Sequence, residues 1–413
     1  MVKLRHKTNN TNRFNVAFCK GMNRMRLFSA TVAAFALAAS AAAAADDIKL
    51  PAQLSWTAYG TTSSGYAQSI GLGNMLKAKY DVDLRVIPGK NDVSRMLPLK
   101  AGQAEICSCG IASYFGQEGV FMFASDRWGP TKLYNLFNNI GRNGAGLIVA
   151  GDLGIESYEG LKGKRVAWVK GAPALNLNST SALAFAGLTW GDVEKVVFPG
   201  YGQSMQAIID GQADAAFGST ISSIYNQMAA SPRGIRHLPF PHDDADGWER
   251  MTRVAPYLYP VNVTNAVAIE TNPNGGKSFE GSAYPYPIFV GMPTLAEDTA
   301  YGLTKAVMEN YETYKESGPG MDGYQLANQN FEWVFPYHPG AVRYYKEAGV
   351  WDDAAQATQD ANMKRQEVLA AAWADFKSMG VSGDDYEAKW LEVRAKHLSD
   401  ADMSVPFAEP LAE

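Results

Sequence analysis

Short apolar runs alternate with amphipathic helical patterns along the chain, and this alternation limits the possible folds more than any other feature. Residues 52–59, 83–88 and 105–109 read as strands, and helical patterns at 65–80 and 92–99 separate them. Successive parallel strands need crossover connections, so this β-α-β-α-β order predicts a mostly parallel sheet with helices on both faces.

The same alternation begins again at about residue 147. Strands are expected at 145–150, 165–169, 193–198 and 213–218, with helices at 178–186 and 203–209. A stretch rich in Pro, Gly and aromatic residues follows, with strand-like runs at 261–263 and 266–269. Helical patterns return at 299–315 and 353–379, and the tail from 380 to 413 reads as a helix plus a loose end.

These patterns predict an α/β fold of two lobes, each a mostly parallel sheet flanked by helices, with a ligand cleft between them. Residues 46–146 and 286–413 are assigned to lobe 1, which includes a C-terminal helical extension, and 147–285 to lobe 2. The chain therefore crosses twice between the lobes. We expect ligand to close them about these crossings.

Residues 1–45 look like an N-terminal extension followed by a signal peptide. They carry seven basic residues and no acid, and an apolar stretch from Leu27 leads to an Ala-x-Ala site at Ala43–Ala45. The strongly apolar part is about a dozen residues, short of the roughly 20 that span a bilayer. This pattern favours a periplasmic protein whose leader is cleaved near Ala45, with Met1, Met22 or Met25 as the start.

Charge limits the possible partners. Without the leader, 30 basic residues stand against 42 acidic ones, a formal net charge of −12. Nucleic acid is not an expected partner, because phosphate contacts need clustered Lys and Arg. The same net charge repels anions at long range, so an anionic ligand would need local positive charge in the cleft.

No metal, cofactor or catalytic site is predicted. Cys107 and Cys109 would lie about 6.5–7 Å apart in a regular strand, at the edge of disulfide range, and we expect two buried thiols. The cluster Asp243, Asp244 and Asp246 lacks the ligand spacing of a calcium loop. Catalytic sequence motifs such as Gly-x-Ser-x-Gly are absent, and Gly275–Ser278 lacks the earlier glycine of a phosphate-binding loop.

Binding chemistry is concentrated at three strand–helix junctions, 59–66, 88–95 and 171–180. Ligands of open α/β sheets bind at the carboxyl ends of strands, near helix N-termini. One such junction would be explained by helix capping alone, but three from two α/β units favour a ligand cleft. The predicted ligand-binding residues are Tyr59, Thr61, Thr62, Ser63, Tyr66, Asp92, Arg95, Pro173, Asn176, Asn178, Tyr201 and Ser219.

Arg95 is the leading candidate for a charged contact with the ligand. It lies in the first turn of a predicted helix, where the helix N-terminus and a guanidinium would both favour a carboxylate. The alternative, weighed equally, is a surface arginine paired with Asp92, a contact worth about 0.2–1 kcal/mol.

Several segments resemble one family of exported receptors. Gly60-Thr61 with Tyr66, the helix end 99–105 and the segments 158–167 and 209–217 match its lobe motifs, and 337–347 reads Tyr-His-Pro-Gly-Ala-Val-Arg-Tyr-Tyr-Lys-Glu. Over about 50–350 the chain resembles a TAXI-type solute-binding receptor of a tripartite ATP-independent periplasmic (TRAP) transporter, within the type II binding-protein superfamily. The resemblance implies a monomeric receptor that delivers a small organic anion, carboxylate or amino-acid-like, to membrane permease subunits.

The sequence departs from that family at the ligand loops. Ser63-Ser64 replaces paired glycines, Gly110-Ile111-Ala112 replaces Gln-Ser-Asp, and Ala174–Leu177 replaces Gly-Ser-Gly-Thr. The family's amino-acid and dicarboxylate ligands are therefore not carried over, and the ligand stays open. Two other readings also stay open: a receptor of an ATP-driven (ABC) importer for a pyrimidine- or sulfonate-like ligand, and an enzyme on the same fold.

Overall fold

The computed structural model describes residues 48–269 and 277–411. The predicted leader, its cleavage site and Gly275-Gly276 lie outside these ranges. Among the helices that are described, none is long and apolar enough to cross a bilayer.

Five strands form the first sheet. Side by side they are β2 (Asp83–Gly89), β1 (Gln53–Tyr59), β3 (Ile106–Cys109), β12 (Ile288–Gly291) and β4 (Tyr134–Asn138). β1 runs parallel to β2 and β3, with Trp56 opposite both Val86 and Ile106. β12 returns from the later part of the chain and runs antiparallel to β3 and β4.

Seven strands form the second sheet. Six lie in the order β10 (Tyr259–Val263), β11 (Phe279–Ala283), β5 (Ala145–Val149), β8 (Ala215–Ser219), β6 (Arg165–Val169) and β7 (Glu194–Phe198), and β9 (Arg236–His237) pairs with β5. β6 is parallel to β7 and β8, whereas the other pairs are antiparallel.

The predicted α/β fold class is confirmed: two sheets flanked by helices, with one strand returning late to the first sheet. Both sheets are mixed, but most strands of each point the same way: β12 runs against the rest of the first sheet, and β5 and β10 run against the rest of the second. Parallel order holds where a helix connects neighbouring strands, as between β1 and β2. β12 and β5 follow segments that pass between the sheets, so no such crossover fixes their direction. The assigned lobe boundary at 146/147 falls inside β5.

Twelve α-helices are described. They are α1 (Ser64–Tyr80), α2 (Asp92–Lys100), α3 (Ala112–Glu118), α4 (Pro173–Phe185), α5 (Tyr201–Ile209), α6 (Ile224–Ala230), α7 (Ala245–Val254), α8 (Glu297–Glu309), α9 (Tyr311–Tyr314), α10 (Pro339–Glu347), α11 (Asp353–Ser378) and α12 (Tyr386–Asp400).

The first two helices cover opposite faces of the first sheet. Leu72 and Leu76 of α1 share a hydrophobic cluster with Trp56. Met96 of α2 lies in the other cluster, with Cys107. The two clusters lie on opposite faces of the sheet because successive side chains along a strand point to opposite faces. Since the second cluster continues into the core of the second sheet, α2 lies where the two sheets meet.

Cys107 and Cys109 form a disulfide, so the prediction of two free thiols is wrong. Their Cα atoms are 5.1 Å apart, shorter than in a regular strand and inside the range that a disulfide bridges. Both residues are fully buried in the middle of the first sheet.

Buried ion pairs join the C-terminal extension, which α11 and α12 form, to α3. Glu118 at the end of α3 accepts two hydrogen bonds of 2.7 Å from Arg365 and one of 2.5 Å from Arg394. Burial raises the pKa of Glu118, but the two guanidinium groups outweigh burial and hold it below its ordinary value. Trp390 adds a hydrogen bond to the carbonyl of Gly119.

Candidate ligand-binding site

A cavity lies between the two sheets, with about 480 Å³ of space free of protein atoms when the open solvent at its mouth is included. Its lining comes from both: Tyr59, Ser63, Ser64, Asn143, Gly144, Ala145, Leu175, Tyr201, Phe217, Gly218, Ser219, Ser222, Ala283, Tyr284 and Tyr286. None of these lining residues carries a charge. Ligand pockets are mostly apolar with a few convergent polar groups, and this lining has that character.

The N-terminus of α1 forms one end of the cavity. Ser63 caps the helix and accepts a hydrogen bond of 3.2 Å from the backbone N–H of Tyr66. Ser64 is 3% exposed, and its Oγ has no hydrogen-bond partner among the described residues. An unpartnered buried hydroxyl costs free energy that a ligand or water would recover. Beside the positive end of a helix, it is suited to an anionic group.

Gly65 lets an aromatic ring approach this helix end. A Cβ atom at position 65 would lie 2.9 Å from the hydroxyl oxygen of Tyr286, which is too close for any side chain. The ring of Tyr286 in turn lies 5.9 Å from that of Tyr284, and both rings line the cavity. Because Gly65 has no side chain, the ring of Tyr286 can pack against the N-terminus of α1.

The second sheet contributes hydroxyl and amide groups. Ser219 ends β8, and its Oγ is buried without a partner in the described part of the chain, as is Oδ1 of Asn143 before β5. Tyr201 and Ser222 share a hydrogen bond of 2.6 Å between their hydroxyls. Burial raises the pKa of Tyr201, so its hydroxyl stays protonated at neutral pH.

Tyr59, Asp92 and Arg95 form a buried group behind the cavity wall. Nη2 of Arg95 lies 2.9 Å from Oδ1 of Asp92, and both side chains are fully buried. The hydroxyl of Tyr59 donates to the same carboxylate oxygen, and Nη1 of Arg95 lies 3.3 Å from the carbonyl of Ser108. Burial raises the pKa of Asp92, while Arg95 and the hydrogen bonds oppose that shift.

Asp92 also joins the two sides of the molecule. Its Oδ2 accepts a hydrogen bond of 2.9 Å from the backbone N–H of Ala174, in the first turn of α4. Helix N-termini have unpaired N–H groups, so a carboxylate is a natural partner there.

Further hydrogen bonds join first-sheet loops to second-sheet loops. Asn91 donates to the carbonyl of Lys170 at 3.0 Å, the N–H of Tyr201 to Lys90 at 3.0 Å, and Ser223 to Thr62 at 2.9 Å. The contacts hold the two sides together around the cavity.

No described group of three or more His, Cys, Asp and Glu side chains is arranged to hold a metal ion.

A family model matches residues 58–349, which is more than two thirds of the chain. The chain belongs to the NMT1-like family. The match spans strands of both sheets and every residue that lines the cavity, and it ends before α11. The C-terminal extension of this NMT1-like protein thus lies outside the family segment, which ends close to the predicted limit of about 350.

Solved structures of binding proteins are similar to this NMT1-like protein at low identity. The alkanesulfonate-binding protein SsuA from Xanthomonas axonopodis pv. citri, bound to MOPS, shares 16% identity, with 73% of this chain and 93% of that chain covered and a TM-score of 0.39. An ancestral arginine-binding protein bound to arginine shares 14%, covering 65% and 99%, with a TM-score of 0.40. The periplasmic aliphatic sulphonate binding protein SsuA from Escherichia coli shares 13%, covering 87% and 91%, with a TM-score of 0.38. A comparison with curated protein sequences gives no match.

The structure brings some of the predicted ligand residues of this NMT1-like protein to the cavity and leaves others away from it. Those in the lining are Tyr59, Ser63, Tyr201 and Ser219. The predicted residues outside the lining are Thr61, Thr62, Tyr66, Asp92, Arg95, Pro173, Asn176 and Asn178. Thr61 is exposed, and the side chain of Asn176 bonds both backbone groups of Val169.

Arg95 pairs with Asp92, as one of its two predicted roles has it, but the pair is buried rather than at the surface. Its guanidinium is not part of the cavity lining and stacks on the ring of Tyr59, which is. A contact between Arg95 and the ligand stays a prediction.

Eleven lining residues were not predicted to bind ligand: Ser64, Asn143, Gly144, Ala145, Leu175, Phe217, Gly218, Ser222, Ala283, Tyr284 and Tyr286. Ser64 and Leu175 lie inside two of the predicted junctions. Tyr284 and Tyr286 lie in the aromatic stretch between β11 and β12, where the chain crosses back to the first sheet. A search at both predicted crossings, and not only at strand–helix junctions, would have included Asn143 and the two tyrosines.

Proposed function

We propose that the protein is an exported solute-binding receptor that captures a small organic anion in the cavity between the two sheets. The observation that carries this proposal is the unpartnered hydroxyl of Ser64, buried at the N-terminus of α1 and facing a cavity walled by both sheets. Amide groups of the helix end and the hydroxyls of Ser64 and Ser219 would hold a carboxylate without a charged side chain.

The way the two sheets meet supports a receptor that closes on its ligand. Asp92 and the backbone of Ala174 are joined across the boundary, and Tyr201 is joined to Lys90. Hydrogen bonds of this kind can break and re-form as two rigid bodies open and close, because they involve loops and helix ends rather than paired strands.

We propose further that a TRAP-type permease receives the solute, as the TAXI-like segments imply. An ABC importer is the alternative. Uptake in cells that carry the cognate permease separates the two: TRAP-driven uptake stops when the ion gradient is dissipated and continues when ATP alone is depleted. Uptake that follows ATP and ignores the gradient would favour the ABC importer.

The site itself is tested with Ser64→Ala. A thermal-shift screen of organic acids and amino acids on the purified protein identifies a solute, since a ligand at 100 times its Kd stabilises by about 2.7 kcal/mol. Ser64→Ala should then weaken binding about tenfold, or about 1.4 kcal/mol, by calorimetry. The melting temperature of the free protein should not fall, because Oγ of Ser64 has no partner among the described residues.

Thr304→Ala is the matched control. Its hydroxyl is buried in α8 and bonds the carbonyl of Ala300 at 2.8 Å, outside the cavity lining. This variant should lower the melting temperature and keep the affinity. Unchanged affinity in Ser64→Ala would show that the solute does not bind at the end of α1.

A further inference from the structure

We infer that the cavity takes a small monocarboxylate whose remaining atoms carry no charge, and that Asp92 sets this preference by neutralising Arg95. The inference rests on the proposed function and names the class of solute that the same site accepts.

The first support is the uncharged lining. Apart from the end of α1, the wall is formed mainly by rings, aliphatic groups and hydroxyls, with Leu175, Phe217 and Ala283 among the apolar members. A second carboxylate or an ammonium group would be buried there without an opposite charge. Such burial is strongly unfavourable, so a ligand with one anionic group is the best match.

The second support is that the nearest guanidinium is already paired. Arg95 bonds Asp92 and the carbonyl of Ser108, and it stacks on Tyr59 at 3.9 Å from the ring centroid. Arg95 lowers the pKa of both Tyr284 and Tyr286 and Asp92 raises it, so the two charges oppose each other at the aromatic wall.

The third support is the distribution of polar atoms. The unpartnered oxygens of Ser64, Ser219 and Asn143 are the buried lining atoms that lack hydrogen-bond partners within the described residues. Hydroxyls can donate to a carboxylate, whereas the amide oxygen of Asn143 can only accept. The carboxylate therefore belongs beside the serines, and a polar but uncharged group of the solute can reach Asn143.

A matched series of acids tests the charge preference. Calorimetry on the purified protein would compare pentanoate with pentanamide, glutarate and 5-aminopentanoate, and 3-phenylpropionate would probe a larger apolar body. Pentanoate or 3-phenylpropionate should bind at least tenfold tighter than the amide, the diacid and the amino acid. Glutarate or 5-aminopentanoate binding as tightly as pentanoate would overturn the inference.

Failure of the inference is distinguishable from failure of the proposed function. If none of these compounds binds but another solute in the screen binds and loses affinity in Ser64→Ala, the monocarboxylate class is wrong and the receptor function stands. If no solute in the screen binds, both are wrong.

The role of Asp92 is tested with two variants. Asp92→Asn leaves the charge of Arg95 uncompensated, so the ratio of glutarate to pentanoate affinity should rise at least tenfold. Asp92→Asn with Arg95→Met removes both charges, and replacing both partners of a buried pair is tolerated better than removing one. The double variant should bring the ratio back to within about threefold of that of the unchanged protein. An unchanged ratio in Asp92→Asn, or a ratio that stays raised in the double variant, would show that Asp92 does not set the preference by neutralising Arg95.

Discussion

The guanidinium of Arg95 lies over the ring of Tyr59, 3.9 Å from its centroid, while Nη2 of Arg95 pairs with Asp92 at 2.9 Å. Tyr59 lines the cavity and donates its hydroxyl to the same carboxylate. Asp92 and Arg95 thus hold an aromatic wall of the cavity in place from behind. Arg95 supports the site without reaching into it.

Arg95→Ala should therefore destabilise the protein. Removing one partner of a buried ion pair leaves an uncompensated charge, at a cost of about 3–5 kcal/mol. Chemical denaturation at neutral pH measures the loss, with Arg85→Ala as the control because Arg85 is exposed on β2. An unchanged free energy of unfolding in Arg95→Ala would mean that the Asp92–Arg95 pair does not form.

Glu118→Gln should destabilise the protein at neutral pH and make its free energy of unfolding less dependent on pH in acid. Arg365 and Arg394 hold the pKa of Glu118 below its ordinary value of 4.5. The unfolded chain then takes up this proton first, so the stabilisation is complete above pH 4.5 and is lost as pH falls through the lower folded value. Chemical denaturation between pH 7 and 3 measures the free energy of unfolding. At pH 7 it should be about 3–5 kcal/mol lower in Glu118→Gln than in the unchanged protein, and in acid the difference should be smaller. A constant difference would contradict the pairing.

His338→Ala should cost about 1–3 kcal/mol at neutral pH. Nδ1 of His338 accepts from the N–H of Gly340 at 3.2 Å, and Nε2 lies 3.0 Å from the carbonyl of Leu295. Burial lowers the pKa of His338 from its ordinary 6.5, so this stabilisation is lost as pH falls from 6.5 through the folded value. In urea denaturation, His338→Ala should lower the free energy of unfolding less at pH 5.5 than at pH 7.5. An equal loss at both pH values would contradict a neutral His338 that caps α10.

Neither Cys107 nor Cys109 should react with an alkylating reagent until the folded protein is unfolded and reduced. The reason is the disulfide between them in the buried first sheet. Mass spectrometry after alkylation in denaturant, with and without reductant, measures whether the two cysteines are alkylated. Alkylation of both residues without reductant would contradict the disulfide.

Most of the local structure could be predicted from periodicity. The predicted strand 83–88 and helices 92–99 and 353–379 agree with β2, α2 and α11 to within a residue at each end. The predicted helix 178–186 was placed too late, because α4 begins at Pro173, a residue suited to a helix's first turn. The predicted strand at 266–269 does not form, and four paired strands, β4, β9, β11 and β12, were not predicted.

Four of the predicted residues lie in the cavity lining, and there is a physical reason why they could be placed there. Helix N-termini and strand ends are visible in sequence, and Ser63 and Tyr201 lie at such positions. Tyr284 and Tyr286 reach the cavity because the chain crosses back between the sheets, and such long-range placement has no local signal. Arg95 carries the right chemistry at the right helix turn, yet its partners, Asp92 and the Tyr59 ring, turn it into a supporting residue.

A crystal structure of the protein with its tightest-binding organic acid is the most direct test of the central claim. We expect the solute in the cavity between the two sheets, with its carboxylate within hydrogen-bond distance of Oγ of Ser64. Solute bound instead in the groove lined by Trp168 and Lys195, or elsewhere on the surface, would contradict the account.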